Sequence, residues 1–86
     1  KDGATYHLKS TEKRVRIEAA TCNRKDKIEE VFIVNKTNGF VATSFALNTR
    51  ELTTDLMVLV EGPNHILVSL KLSEGKELQS QIVLNH

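Results

Sequence analysis

Between Val31 and Glu51 the chain reads VFIVNKTNGFVATSFALNTRE, two β-branched and aromatic runs around a polar centre. Val31-Phe32-Ile33-Val34 and much of Phe40 to Leu47 have the composition that suits a pleated, partly buried surface. The pattern predicts two strands paired as a hairpin. Asn35-Lys36-Thr37-Asn38-Gly39 lies between them, and its Asn and Gly tolerate the positive φ of a hairpin turn or bulge. Gly39 is therefore read as a backbone residue.

The rest of the chain alternates in the same way. In Ala4 to Lys9, Tyr6 and Leu8 share one face, and His7 and Lys9 the other. A polar turn, Ser10-Thr11-Glu12, leads to Lys13–Thr21, where Val15, Ile17 and Ala19 oppose Arg14, Arg16 and Glu18. Asn23 to Lys27 is too charged for a core and reads as a loop. Leu52 to Glu61 reads as one strand, with Leu52, Leu56, Val58 and Val60 in one phase and Met57 and Leu59 in the other, although its first half also fits a helical turn. Glu61-Gly62-Pro63-Asn64 is the strongest stop, since Pro cannot donate to a central ladder, and a new strand is expected near His65. Ile66, Val68, Leu70 and Leu72 alternate in His65 to Ser73. Ser73-Glu74-Gly75-Lys76 then turns the chain into Glu77 to Asn85, with Leu78, Ser80, Ile82 and Leu84 in phase. About seven strands with regular turn signals predict an all-β, two-sheet sandwich. No segment sustains a helical period, and no repeat or low-complexity stretch is visible.

At 86 residues the chain is expected to be one domain, residues 1–86, with a single modest core. Its composition, 40% hydrophobic and 27% charged, is that of globular rather than disordered or membrane-embedded protein. No apolar run approaches the roughly 20 residues of a spanning helix, so membrane insertion is not expected. Without a basic-then-apolar leader, Lys1 is expected to lie inside a mature or excised sequence. Cys22, the one cysteine, excludes an internal disulfide and a multi-cysteine zinc site. In an extracellular piece Cys22 is either buried and inert or paired with a partner outside the segment, and the strand-like run Ala19-Ala20-Thr21 before it favours the buried thiol.

Phe32-x-Val34, Gly39-x-Val41-x-Thr43 and Leu47 resemble the F-x-I-(x4)-G-x-I-x-T-(x3)-L core signature of cadherin-type repeats, with Arg50-Glu51 near their Asp-Arg-Glu. The resemblance covers about a quarter of the chain and rests mostly on packing residues. The pattern is also similar to that of cadherin prodomains and of the C-terminal modules of fibulins and fibrillins, which end in two strands like Ile66 to Leu72 and Leu78 to Leu84. It implies a seven-stranded antiparallel Greek-key sandwich, immunoglobulin/cadherin-like, in adhesion or matrix proteins. Calcium between cadherin repeats needs clustered carboxylates, because Ca²⁺ takes six to eight oxygen ligands. Here Asn48-Thr49-Arg50-Glu51 follows Leu47, no D-x-D or D-x-N-D-N occurs, and Asp2, Asp26 and Asp55 are scattered. The calcium-free relatives fit better, and no metal or other cofactor is expected.

Catalysis is not expected either. His7, His65 and His86 have no Cys or clustered carboxylate at ligand spacing and read as surface or strand-end residues. Ser44, Ser69 and Ser80 lie in strand patterns without a G-x-S-x-G elbow. Glu29 and Glu30, adjacent on a strand, would face opposite ways. The four glycines are isolated turn residues rather than a phosphate loop.

Charge is unevenly spread. Residues 1–27 hold eight Lys/Arg against four Asp/Glu, or +4, and residues 28–86 hold four against seven, or −3. If the first two strands pair, His7, Lys9, Arg14 and Arg16 share a wet face, with Arg24, Lys25 and Lys27 on a nearby loop. Such a ridge could attract sulfated polysaccharide or an acidic partner surface. The plainer reading is a solvated face that guards an edge strand against aggregation. Nucleic acid is not an expected partner, since no aromatic residues interleave the basic ones. Asn35-Lys36-Thr37 matches the N-glycosylation acceptor, and its turn position suggests room for a glycan. The chain is thus expected to be a non-catalytic extracellular or cell-surface module, contacting a protein partner or a neighbouring domain of its parent chain. The alternative is a cytoplasmic adaptor that binds a protein or peptide at a sheet edge.

Overall fold

A computed structural model describes residues 4–10 and 13–86. The expected turn at Ser10-Thr11-Glu12 lies partly outside the described residues, as does Asp2. The strands are β1 (Ala4–Ser10), β2 (Arg14–Thr21), β3 (Ile28–Asn35), β4 (Phe40–Val41), β5 (Ser44–Ala46), β6 (Glu51–Thr54), β7 (Met57–Val58), β8 (Pro63–Leu72) and β9 (Glu77–Asn85), with one 3-10 turn at Ser73–Gly75. The expected all-β sandwich is present, with two antiparallel sheets. The first has the order β1-β2-β6-β5, with β7 also paired to β2, and the second the order β4-β3-β8-β9. No helix among the described residues is long and apolar enough to cross a membrane.

Alternation explains the core. Val15, Ile17, Ala19, Leu52, Met57 and Leu59 from the first sheet side meet Ile33, Ile66, Val68, Leu70 and Leu72 from the second, all buried. Tyr6 links the two sheets at one margin, its hydroxyl 3.3 Å from Ser80 Oγ.

Three expected strands come out differently. The hairpin after β3 is short, because only Val34↔Val41 and Asn35↔Phe40 pair before the chain leaves for the other sheet. Ala42 N still donates to Ile33 O (2.9 Å), whereas Thr43 and Asp55 are joined by Asp55 N to Thr43 O (3.0 Å) and Thr43 N to Asp55 Oδ1 (3.2 Å). Phe40 to Leu47 is thus a chain that changes sheets.

Leu52 to Glu61 is two strands with a phase break. β2 pairs Glu18 with Thr53 but Val15 with Met57, so the β6–β7 side spends one residue more than β2 between those pairs. This is a β-bulge, and it carries Met57 and Leu59 inward while Val58 faces out. The buried Thr54 hydroxyl mends the ladder there, accepting from Ile17 N (3.1 Å) and donating to Asp55 O (2.8 Å).

β8 begins at Pro63, two residues before the expected start, paired with Asn85. Pro63 is tolerated because β3 ends at Asn35, opposite Ile66, so no ladder partner awaits its missing N–H.

Candidate interaction surfaces

Exposed apolar side chains lie on the outer faces of both sheets, Phe32 and Val41 on the second and Phe45 and Leu47 beside the first. In β3 the odd positions Val31, Ile33 and Asn35 turn inward, so Phe32 and Val34 face out. Cross-strand register sets Val34 beside Val41 on one side and Leu67 on the other, and Phe32 beside Ser69. Phe32 is 50% exposed and Val41 53%, while Val34 and Leu67 beside them are half-buried; exposed Val83 stands apart on β9, opposite His65. At one end a shallow groove runs past Phe32 between Glu30, Ser69, Lys71, Glu77 and Gln79. Lys71 Nζ lies 3.9 Å from Glu30 there. At the other end Gln81 Nε2 and His65 Nδ1 are 3.2 Å apart. An apolar centre with a polar rim is the anatomy of a protein contact.

This is a correction to the expected role of the signature residues. Phe32, Val41, Thr43 and Leu47 were expected to pack, and they are exposed instead. The interior is filled by the opposite phase, led by Ile33.

The basic ridge forms in part. β1 and β2 pair with His7 opposite Glu18 and Lys9 opposite Arg16, so His7, Lys9, Arg14 and Arg16 do share the outer face of the first sheet. Glu18 sits among them and holds Lys9 at 3.5 Å, and Arg16 Nε donates to Thr54 O (3.1 Å). Exposed Phe45 and Leu47 flank the arginines across the sheet. Arg24, Lys25 and Lys27 do not join this ridge. They follow the far end of β2, about 20 Å of strand away from Arg14. Their loop is tied down by Ser73 N donating to Lys27 O (2.9 Å) and Lys27 N donating to Ser73 Oγ (3.2 Å).

Cys22 is exposed, not buried. Thr21 takes the inward position at the end of β2, bonded through its hydroxyl to Asp26 O (3.1 Å), so the next residue must turn outward. Asn35 was expected in an accommodating turn, and it is instead the last, wholly buried residue of β3. Its Nδ2, the atom a glycan would occupy, donates to Asn64 Oδ1 (3.0 Å). A glycan there would require this pair to open.

The carboxylates take separate partners. Buried Asp26 is paired with Lys76 Nζ at 3.0 Å, Asp55 binds the Thr43 amide, and Glu51 Oε1 accepts from Asn48 Nδ2 (2.9 Å). Arg50 folds back onto Thr21, donating to its hydroxyl (3.0 Å) and carbonyl (2.9 Å). Among the described residues no three His, Cys, Asp or Glu side chains converge. No protein-family model, curated protein or solved structure matches the chain in the three comparisons made.

Proposed function

We propose that this chain is a non-catalytic contact module of an extracellular or cell-surface protein, cadherin-like without repeat-type calcium sites, acting in adhesion or matrix assembly. Its partner is a protein or a neighbouring domain of the parent chain, and the contact runs through the outer face of the second sheet. The observation that carries this reading is the apolar row of Val41, Val34 and Leu67 across three strands, with Phe32 beside it and with Phe32 and Val41 about half exposed. Exposed Phe45 on the opposite face pairs with Thr53, which pairs in turn with Glu18, and it shares its groove with Leu47 and with the charged Arg14 and Arg16.

The strand order supports the Greek-key part of the reading. Counting β4 and β5 as one strand that changes sheets, and β6 and β7 as one strand broken by a bulge, leaves seven strands. Orders β1-β2-β6-β5 and β3-β8-β9 then correspond to the ABED and CFG sheets of an immunoglobulin-type sandwich. The extracellular setting rests on the resemblance of Phe32 to Leu47 to cadherin-type modules. The test is side-chain footprinting of the parent protein, comparing its native setting with dilute solution. Phe32 and Val41 should become protected in place, and equal labelling in both settings would overturn the reading. A second reading, peptide capture by strand addition, is supported by the long free edge of β9.

A further inference from the structure

β9 is a nine-residue strand at the margin of its sheet, and among the described residues nothing pairs with its outer side. Edge strands of soluble proteins are usually blunted by Lys, Pro, a bulge or brevity. The other edges obey this rule: β4 has two residues, β5 three, and β1 carries His7 and Lys9. β9, ELQSQIVLN, has no Lys, Arg or Pro, and its register with β8 is unbroken from Glu77 to Asn85.

The direction of its free groups can be derived. His86 and Gly62 exchange both backbone hydrogen bonds, at 3.0 and 3.1 Å. Bonded pairs alternate in an antiparallel ladder, so the N–H and C=O groups of Leu84, Ile82, Ser80 and Leu78 face β8. Those of Glu77, Gln79, Gln81, Val83 and Asn85 therefore face the open side.

We infer that two copies of this chain pair through β9, antiparallel and centred on Gln81. In that register Gln81 faces its own copy, Gln79 faces Val83 and Glu77 faces Asn85. Every outward N–H and C=O of the strand is then used, for about ten backbone hydrogen bonds. Sliding the register by two residues leaves an end of each strand unpaired. The side chains agree with the backbone. No like charges meet on the outer face, and on the inner face Leu78 meets Leu84 and Ser80 meets Ile82. Leu78, Ile82 and Leu84 pack against the core but stay only half-buried in one copy, and the second copy covers them. A strand that complements itself about a twofold axis fits an isologous dimer better than an unrelated peptide. The two second sheets become one continuous sheet across the junction. The outer-face contact proposed above runs through Phe32 and Val41 on β3 and β4, away from this edge, while Val83 lies on β9 and belongs to the edge interface.

The test uses charge at the axis. Gln81 is exposed, and its side-chain contact is with His65 at the surface, so Gln81→Lys and Gln81→Glu should leave the fold intact. Sedimentation equilibrium of the unmodified chain from micromolar to millimolar concentration should rise from monomer to dimer mass. Each variant alone should dimerise about fivefold or more weakly, because like charges then oppose each other at the twofold axis. An equimolar mixture of the two should recover a Lys–Glu heterodimer at least as tight as the unmodified pair. Thermal melts of each variant confirm that it is folded. A chain that stays monomeric at millimolar concentration, or a dimer indifferent to residue 81, overturns the inference. Failure of the footprinting test would leave this result untouched, so the two fail separately.

Discussion

Asn64 ties three parts of this structure together. It is wholly buried, its Oδ1 accepts from Val60 N (2.9 Å) and Asn35 Nδ2 (3.0 Å), and its Nδ2 points at the carbonyls of Val60 (2.9 Å), Gly62 (3.1 Å) and Leu84 (3.2 Å). One side chain thus joins the β3 end, the β7–β8 connection and β9. Removing it strands several buried groups, each of which costs about 1–3 kcal/mol when left unpaired. Asn64→Ala should therefore destabilise the chain by about 2–4 kcal/mol, read by urea unfolding; a loss within experimental error would contradict the network. None of this was legible in the sequence. Asn64 read there as turn material and Asn35 as a turn and glycan acceptor, because residue type discloses hydrogen-bonding capacity but not the partner 29 positions away. Cys22 was misread for a related reason: a run of small residues resembles a buried strand until the position where it ends is known.

At the level of elements, alternation was a sound guide wherever a strand is long and regular. Val15, Ile17 and Ala19 in β2, and Ile66, Val68, Leu70 and Leu72 in β8, take the buried phase that their spacing predicts. It failed where the chain slips by one residue or changes sheets. The bulge opposite β2 reverses the phase of Met57 and Leu59, and no side-chain pattern announces it, since Leu56, Val58 and Val60 would serve equally well. Turn chemistry was legible at Gly39, whose φ of 80° suits only glycine and few others. The β8–β9 turn is less well matched. Glu74 there has φ 63°, a left-handed conformation that costs an ordinary residue about 1 kcal/mol and Asn less. Glu74→Asn should raise stability by about 0.5–1 kcal/mol, measurable as a higher denaturation midpoint. A drop would mean that the Glu74 side chain has a stabilising role.

For the molecule as a whole, the all-β sandwich was legible, and the assignment of its faces was not. A strand pattern separates two phases, but only the partner sheet decides which phase is covered. That is why Phe32, Val41 and Leu47 were expected inside and lie outside. The basic residues show the same limit, since one expected ridge divides into a sheet face bearing His7, Lys9, Arg14 and Arg16 and a distant loop bearing Arg24, Lys25 and Lys27. Two separate clusters should act independently on a sulfated polysaccharide. Arg14→Ala with Arg16→Ala, and Arg24→Ala with Lys25→Ala, should each lower the salt needed to elute the chain from heparin, and the losses should add. If either pair alone abolished retention, a single joint site would be indicated instead.

The most direct test of the contact face compares two phenylalanines on opposite faces. Phe32 and Phe45 are 50% and 51% exposed, so hydroxyl radicals should label them at comparable rates in dilute solution. In the parent protein's native setting the Phe32-to-Phe45 labelling ratio should fall several-fold as the outer face of the second sheet is covered. An unchanged ratio, or protection of Phe45 with Phe32 still labelled, would contradict it.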